Sequence, residues 1–122
     1  MNLDAPESTD ILERALLGSL MLVGNAALPK VTRTLRPEHF LRETHRVIYE
    51  AILGVAASGA DPDLVLVDAE LDATGQLARA GGLGYVASLV DNLPCCDNVI
   101  FYAKHVRDRA VLRKASRRRT TP

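Results

Sequence analysis

Apolar residues recur at steps of three and four along nearly the whole of this chain, and that spacing confines it to helices. The most regular stretch lies near the end. Val99, Ala103, Val106 and Ala110 repeat at four, three and four, the seam of a helix lying along another. "RVIYEAILGVAASG" sets Val47, Ile48, Ala51, Ile52 and Val55 at the same spacing and halts at Ser58-Gly59. Only "LVLV" has strand character, and it has no second run to pair with. Leu64, Val67 and Leu71 place it instead on a helix that Gly75 ends. The expected fold is all-α, a compact single-domain bundle of about six helices with the last one extended.

Helix ends can be read from the punctuation. Thr9 or Asp10 is expected to cap the first helix, with Glu13 as the far half of a capping box. "ILERALLGSLMLV" is apolar on more than one face and belongs at the centre of the core, and Gly24-Asn25 closes it. Pro29 suits the first turn of a short helix, and "RPEHF" breaks the chain again. Residues 1–9 read as a flexible leader, 10–114 as the helical domain and 115–122 as a basic tail.

With 122 residues, 48% of them hydrophobic and 25% charged, the chain is long enough for one domain with its own core. No apolar run approaches membrane-spanning length, and the first residues lack the basic-then-apolar pattern of a secretion signal, so a soluble cytoplasmic protein is expected. The net charge of zero conceals a split. From Lys104 onward eight basic residues face one acid, whereas residues 1–103 hold seven basic and fourteen acidic residues. An acidic body with a basic end suits a nucleic-acid arm or a partner-binding helix, and equally a solvated helix end beside the negative pole of its dipole.

Two motifs invite a chemical reading and both fail it. Gly81, Gly82 and Gly84 are followed by no Lys-Ser/Thr and preceded by no strand, so they form neither a P-loop nor a dinucleotide fingerprint. A turn between helices, with Gly81 or Gly82 at positive φ, is the expected role. Cys95 and Cys96 are adjacent and point apart, which rules out a zinc knuckle with His105 and leaves "NLPCCDN" as a helix break. His39 and His45 have no cysteine near them and no histidine has an evident acid partner. Asp68, Glu70 and Asp72 read as a solvated face. No serine elbow is present, and no catalytic, metal or cofactor site is expected.

The order of five motifs carries more than any one of them. "ERALLGSLML", "LRPEHFLRETHRVIYEAI", "GADPDLVLVDAELDATGQL", "AGGLGYVASLVDNLP" and "DNVIFYAKHVRDRAVLRK" together resemble the N-terminal domain of replicative DnaB-type hexameric helicases over about Asp10 to Lys114. Pro29 interrupts a helix that the family usually runs through, Leu66 stands where a capping threonine is common, and "ASRRRTTP" departs from the family's helical hairpin.

The resemblance implies an all-α, non-catalytic collar domain that self-associates, docks the C-terminal domain of primase and serves as a landing point for a helicase loader. ATP and magnesium belong to a separate motor domain, and no P-loop occurs here. On the last helix, Arg107, Arg109, Leu112, Arg113 and Lys114 lie off the apolar seam and form the expected partner interface, with Leu112 an apolar anchor in a charged rim. Arg117, Arg118 and Arg119 are candidates for contact with nucleic-acid phosphates. The rival function is a small stand-alone nucleic-acid-binding protein. Against it, the tail has no aromatic residue for base stacking, and the acidic body repels DNA. DNA contact is expected to be weak or indirect.

Overall fold

A computed structural model describes residues 6–93 and 96–120, with the side chains of 117–120 outside the description. Among the described residues there are six α-helices and no strand: α1 (Pro6–Val23), α2 (Leu28–Thr32), α3 (Glu43–Ala57), α4 (Leu64–Ala73), α5 (Gly82–Asp91) and α6 (Val99–Thr120). Short 3-10 turns occupy Gly24–Ala26 and Pro37–His39.

α1 is the central post, packed against α3, α4, α5 and α6. Leu16, Leu17 and Leu20 are wholly buried, as a helix apolar on several faces requires. Gly18 and Ser19 are buried as well, and a Cβ on Gly18 would lie 2.1 Å from the Leu89 carbonyl oxygen. α1 and α5 thus meet backbone to backbone. α3 buries Val47, Ile48, Ala51, Ile52 and Val55, the stripe set by their spacing. Tyr49 is also buried, donating its hydroxyl to the Leu35 carbonyl at 2.9 Å and tilting against Phe40 at 5.0 Å between ring centroids.

"LVLV" is helical. Asp63 accepts from the Leu66 amide at 2.9 Å, so α4 has its cap without a threonine at position 66. Val67 and Leu71 are buried and Leu64 half-buried. Gly81 and Gly82 have φ of +94° and +86° and turn the chain into α5, whose buried face is Val86 and Leu89. Val99, Ala103 and Val106 are buried, with Ala110 half-buried one turn on.

Three expectations need correction. The leader does not reach residue 9: α1 starts at Pro6, whose missing amide hydrogen costs nothing in a first turn, and residues 1–5 lie outside the description. Thr9 and Glu13 are buried, and Glu13 accepts from groups on another segment, so the capping box is not made. Asp68 is not simply solvated. It is half-buried, its Oδ1 has no hydrogen-bond partner among the described residues, and burial raises its carboxyl above the usual range. The last helix is extended, as expected, and α6 runs through the start of the basic stretch to Thr120. Of the expected break at "NLPCCDN", Cys96 is a half-buried free thiol, whereas Pro94 and Cys95 lie outside the description.

Candidate interaction surface on the last helix

α6 is held to α1 by its apolar seam, which leaves the opposite side of the helix to solvent. The residues singled out on it divide into three groups. Leu112 is 46% exposed and faces outward, with Lys114 exposed nearby. Arg107 is exposed and lies 3.6 Å from Asp108, a surface pair of little energetic weight. Arg109 and Arg113 turn back onto the domain. Arg109 Nη1 donates to Ser8 Oγ at 3.0 Å and Thr9 Oγ1 at 3.2 Å, while Arg113 Nη2 donates to the His39 carbonyl at 2.9 Å. These two arginines therefore fasten α6 to α1 and to the Pro37–His39 turn. The expected contacts of Arg117, Arg118 and Arg119 fall outside the described side chains.

Reasoning from the chain alone passed over the most exposed apolar side chains of this helix. Phe101 is 64% exposed, Val111 50% and Ile100 41%. Their signal was present. Phe101 and Leu112 stand eleven positions apart, three helical turns, as do Ile100 and Val111, so two apolar doublets project from neighbouring strips of one helix. Between them lie the exposed Lys104, His105 and Arg107. Near the start of α6, Tyr102 joins Ile11, Leu12 and Leu93 around a shallow cavity of about 190 Å³, with Ile11 59% exposed.

A histidine with an acid partner does exist, although none was evident in the sequence. His45 Nδ1 lies 2.7 Å from Glu13 Oε1, and His45 Nε2 lies 2.6 Å from the Tyr85 hydroxyl. Glu13 Oε2 accepts from the Leu41 amide at 2.5 Å. Above them Asp10 binds Arg42 at 2.7 Å and Arg14 at 2.9 Å, and the hydrogen bond that Arg42 donates to Asp10 raises its guanidinium above the usual value. Burial, and after it the Asp10 carboxylate, pushes the Tyr85 phenol up, so it remains a donor. The two ring nitrogens of His45 thus bridge Glu13 and Tyr85. The order acid, imidazole, hydroxyl matches a catalytic relay, but Glu13 and His45 are both wholly buried and a substrate has no access to either. The network ties α1, α3 and α5 together. Among the described residues no group of three or more His, Cys, Asp or Glu side chains is placed to hold a metal ion, and no helix is long and apolar enough to cross a membrane.

Comparison with known proteins matches this arrangement to one family. A model of the DnaB-like helicase N-terminal domain matches residues 4–108. The replicative DNA helicase DnaB of Geobacillus stearothermophilus is 41% identical over 116 residues, 95% of this chain and 25% of that helicase. The replicative DNA helicase DnaC of Bacillus subtilis is 36% identical over 109 residues, 89% of this chain and 24% of that protein. This chain thus spans about a quarter of the length of these curated relatives, and their remaining parts have no counterpart in it. Among solved structures, the N-terminal domain of DnaB helicase from Mycobacterium tuberculosis superposes with a TM-score of 0.81 at 37% identity, covering 87% of this chain and 75% of that one. A DnaB-like replicative helicase, solved in a study of its interactions with primase, shares the fold with a TM-score of 0.72 at 24% identity, over 87% of this chain and 25% of that one. The all-α architecture, the order of helices and the extent of the match agree: this chain belongs to the family of DnaB-like helicase N-terminal domains.

Proposed function

We propose that this domain works by binding proteins: it forms part of the collar of a replicative helicase ring, associates with copies of itself, and docks primase or a helicase loader in the cytoplasm during DNA replication. It takes no cofactor of its own, ATP and magnesium being the business of a motor domain. The observation that carries this function is the outward side of α6. Phe101 and Leu112 remain 64% and 46% exposed on one strip of a helix otherwise rich in charge, and a strip that carries an aromatic and, three turns on, an aliphatic side chain among charged ones has the composition of a helix-borne interface. What also supports it is the helicase studied with primase, which shares this fold. The interface takes in Phe101 and Leu112, with Arg107 and Lys114 at its rim. Arg109 and Arg113 support the helix from beneath.

Capture of a cognate primase C-terminal domain, run beside a salt titration of DNA binding, tests this function. Primase is expected to be retained and the domain to exchange between monomer and dimer, with DNA binding weak at physiological salt. Submicromolar DNA affinity that falls steeply with salt, without capture of primase or self-association, would identify a nucleic-acid-binding protein instead.

A further inference from the structure

Where the far half of α6 crosses the Pro37–His39 turn, the two enclose a cleft of about 410 Å³. Its walls are basic: Arg46, Arg113, Lys114 and His39 line it, with Glu38 the one acid among the lining residues. Leu41, Ala110 and the half-exposed Val111 add apolar surface to the lining. The guanidiniums are held in place by backbone. Arg46 donates to the carbonyls of Phe40 and Leu41 at 2.9 and 3.5 Å, and Arg113 to that of His39 at 2.9 Å. Carbonyls orient the Arg46 guanidinium without neutralising it, and Arg46 makes no ion pair among the described residues. The neighbourhood is cationic enough to be felt by His39. Burial foremost, then Arg107, Arg36 and Arg113, hold its imidazole below the usual value against the opposing pull of Glu38.

We infer that this cleft seats an acidic segment of a partner protein, with carboxylates on Arg46 and Lys114 and an aliphatic side chain of the same segment on Leu41 and Val111. Pre-oriented arginine forks match carboxylates, and fixing them in advance lowers the ordering cost of binding. Charge alone would suit a nucleic-acid backbone equally well. The aliphatic side chains of Leu41 and Val111 favour protein, since a phosphodiester chain offers nothing aliphatic to bury against them, and among the described lining residues His39 is the only ring for a base to stack on. The cleft extends the surface proposed above along the flank of α6 and rests on the protein-binding function of this domain.

Fluorescence anisotropy with the full chain tests the assignment. The probe is a labelled peptide alternating leucine with glutamate and aspartate. Its controls are the glutamine and asparagine counterpart and a single-stranded oligothymidylate of equal charge. The acidic peptide is expected to bind roughly tenfold or more tightly than its amide counterpart. Lys114→Gln and Val111→Ser, both at exposed positions, are each expected to weaken it several-fold, while Arg46→Lys, which keeps the charge, costs less than Arg46→Gln. Circular dichroism confirms the fold of each variant. Failure of the peptide to bind, equal binding of oligothymidylate, or indifference to both Lys114→Gln and Val111→Ser would overturn the assignment. Primase capture separates this from the broader function: capture unchanged by those two variants removes the cleft alone, and loss of all capture with the peptide still bound removes primase alone.

Discussion

Glu13 and His45, 32 positions apart in the chain, meet through a 2.7 Å contact between a carboxylate and an imidazole that are both wholly buried. The Leu41 amide satisfies the second carboxylate oxygen and the Tyr85 hydroxyl the second ring nitrogen. One network therefore fixes the angle at which α3 and α5 approach α1. Removing one member leaves the others buried without partners, which is worth far more than the bond itself. Glu13→Ala or His45→Ala is expected to cost about 3–5 kcal/mol in urea unfolding. Replacing both by apolar residues of similar volume is expected to recover part of that loss. A single variant within about 1 kcal/mol of the parent would show that the network contributes little.

Tyr49 gives the stability a dependence on alkaline pH. Burial lifts its phenol from 10.0 to about 12, so the folded state holds its proton where the unfolded chain has lost it. A raised folded value means that the contribution is complete below pH 10 and fades as pH climbs towards 12. Tyr49→Phe loses the hydrogen bond to the Leu35 carbonyl and is expected to be less stable by about 1 kcal/mol near neutrality. That deficit should shrink above pH 10 and can reverse, because phenylalanine has no proton to lose. Urea melts of both proteins at neutral and alkaline pH check this, and a constant difference would contradict it.

The glycines separate into opposite outcomes. A Cβ at Gly81 would meet the Tyr85 ring at 2.9 Å in a left-handed backbone, so Gly81→Ala is expected to cost about 1–3 kcal/mol. Gly18→Ala would drive a methyl into the Leu89 carbonyl and is expected to be at least as damaging. Gly84 lies inside α5 with open space around it, and Gly84→Ala should be neutral or stabilising by up to about 1 kcal/mol. Thermal melts rank the three, and equal effects would contradict the assignment of the turn.

The helices and their buried faces were legible because burial on a helix repeats with the helix itself, as Val99, Ala103 and Val106 or Ile48 and Ile52 show. The Gly81-Gly82 turn was legible for a local reason too, positive φ being cheap only for glycine. What escaped was tertiary. Glu13 satisfies the local pattern of a capping box, but the Leu41 amide and His45, distant in sequence, supply better donors. Arg113, three positions after Ala110 and seven after Val106, continues the seam, so its turn towards the His39 carbonyl was within reach of the spacing, whereas the folding of Arg109 back to Ser8 was not. The approach of Gly18 to Leu89 depends on how α1 crosses α5, which no local pattern records. Phe101 differs from these, because it stands two positions from both Val99 and Ala103, opposite the seam, and its exposure was legible in the spacing.

The protein-binding role rests on Phe101 and Leu112, and their joint replacement tests it most directly. Calorimetric titration of the domain with the primase C-terminal domain, parent beside Phe101→Asp/Leu112→Asp, reads the contact without relying on DNA. The variant should melt as the parent does, because both side chains are largely in solvent, and should bind roughly a hundredfold more weakly, as loss of an interface centre entails. Unchanged affinity in a fully folded variant, or a parent that binds only nucleic acid, would contradict the account.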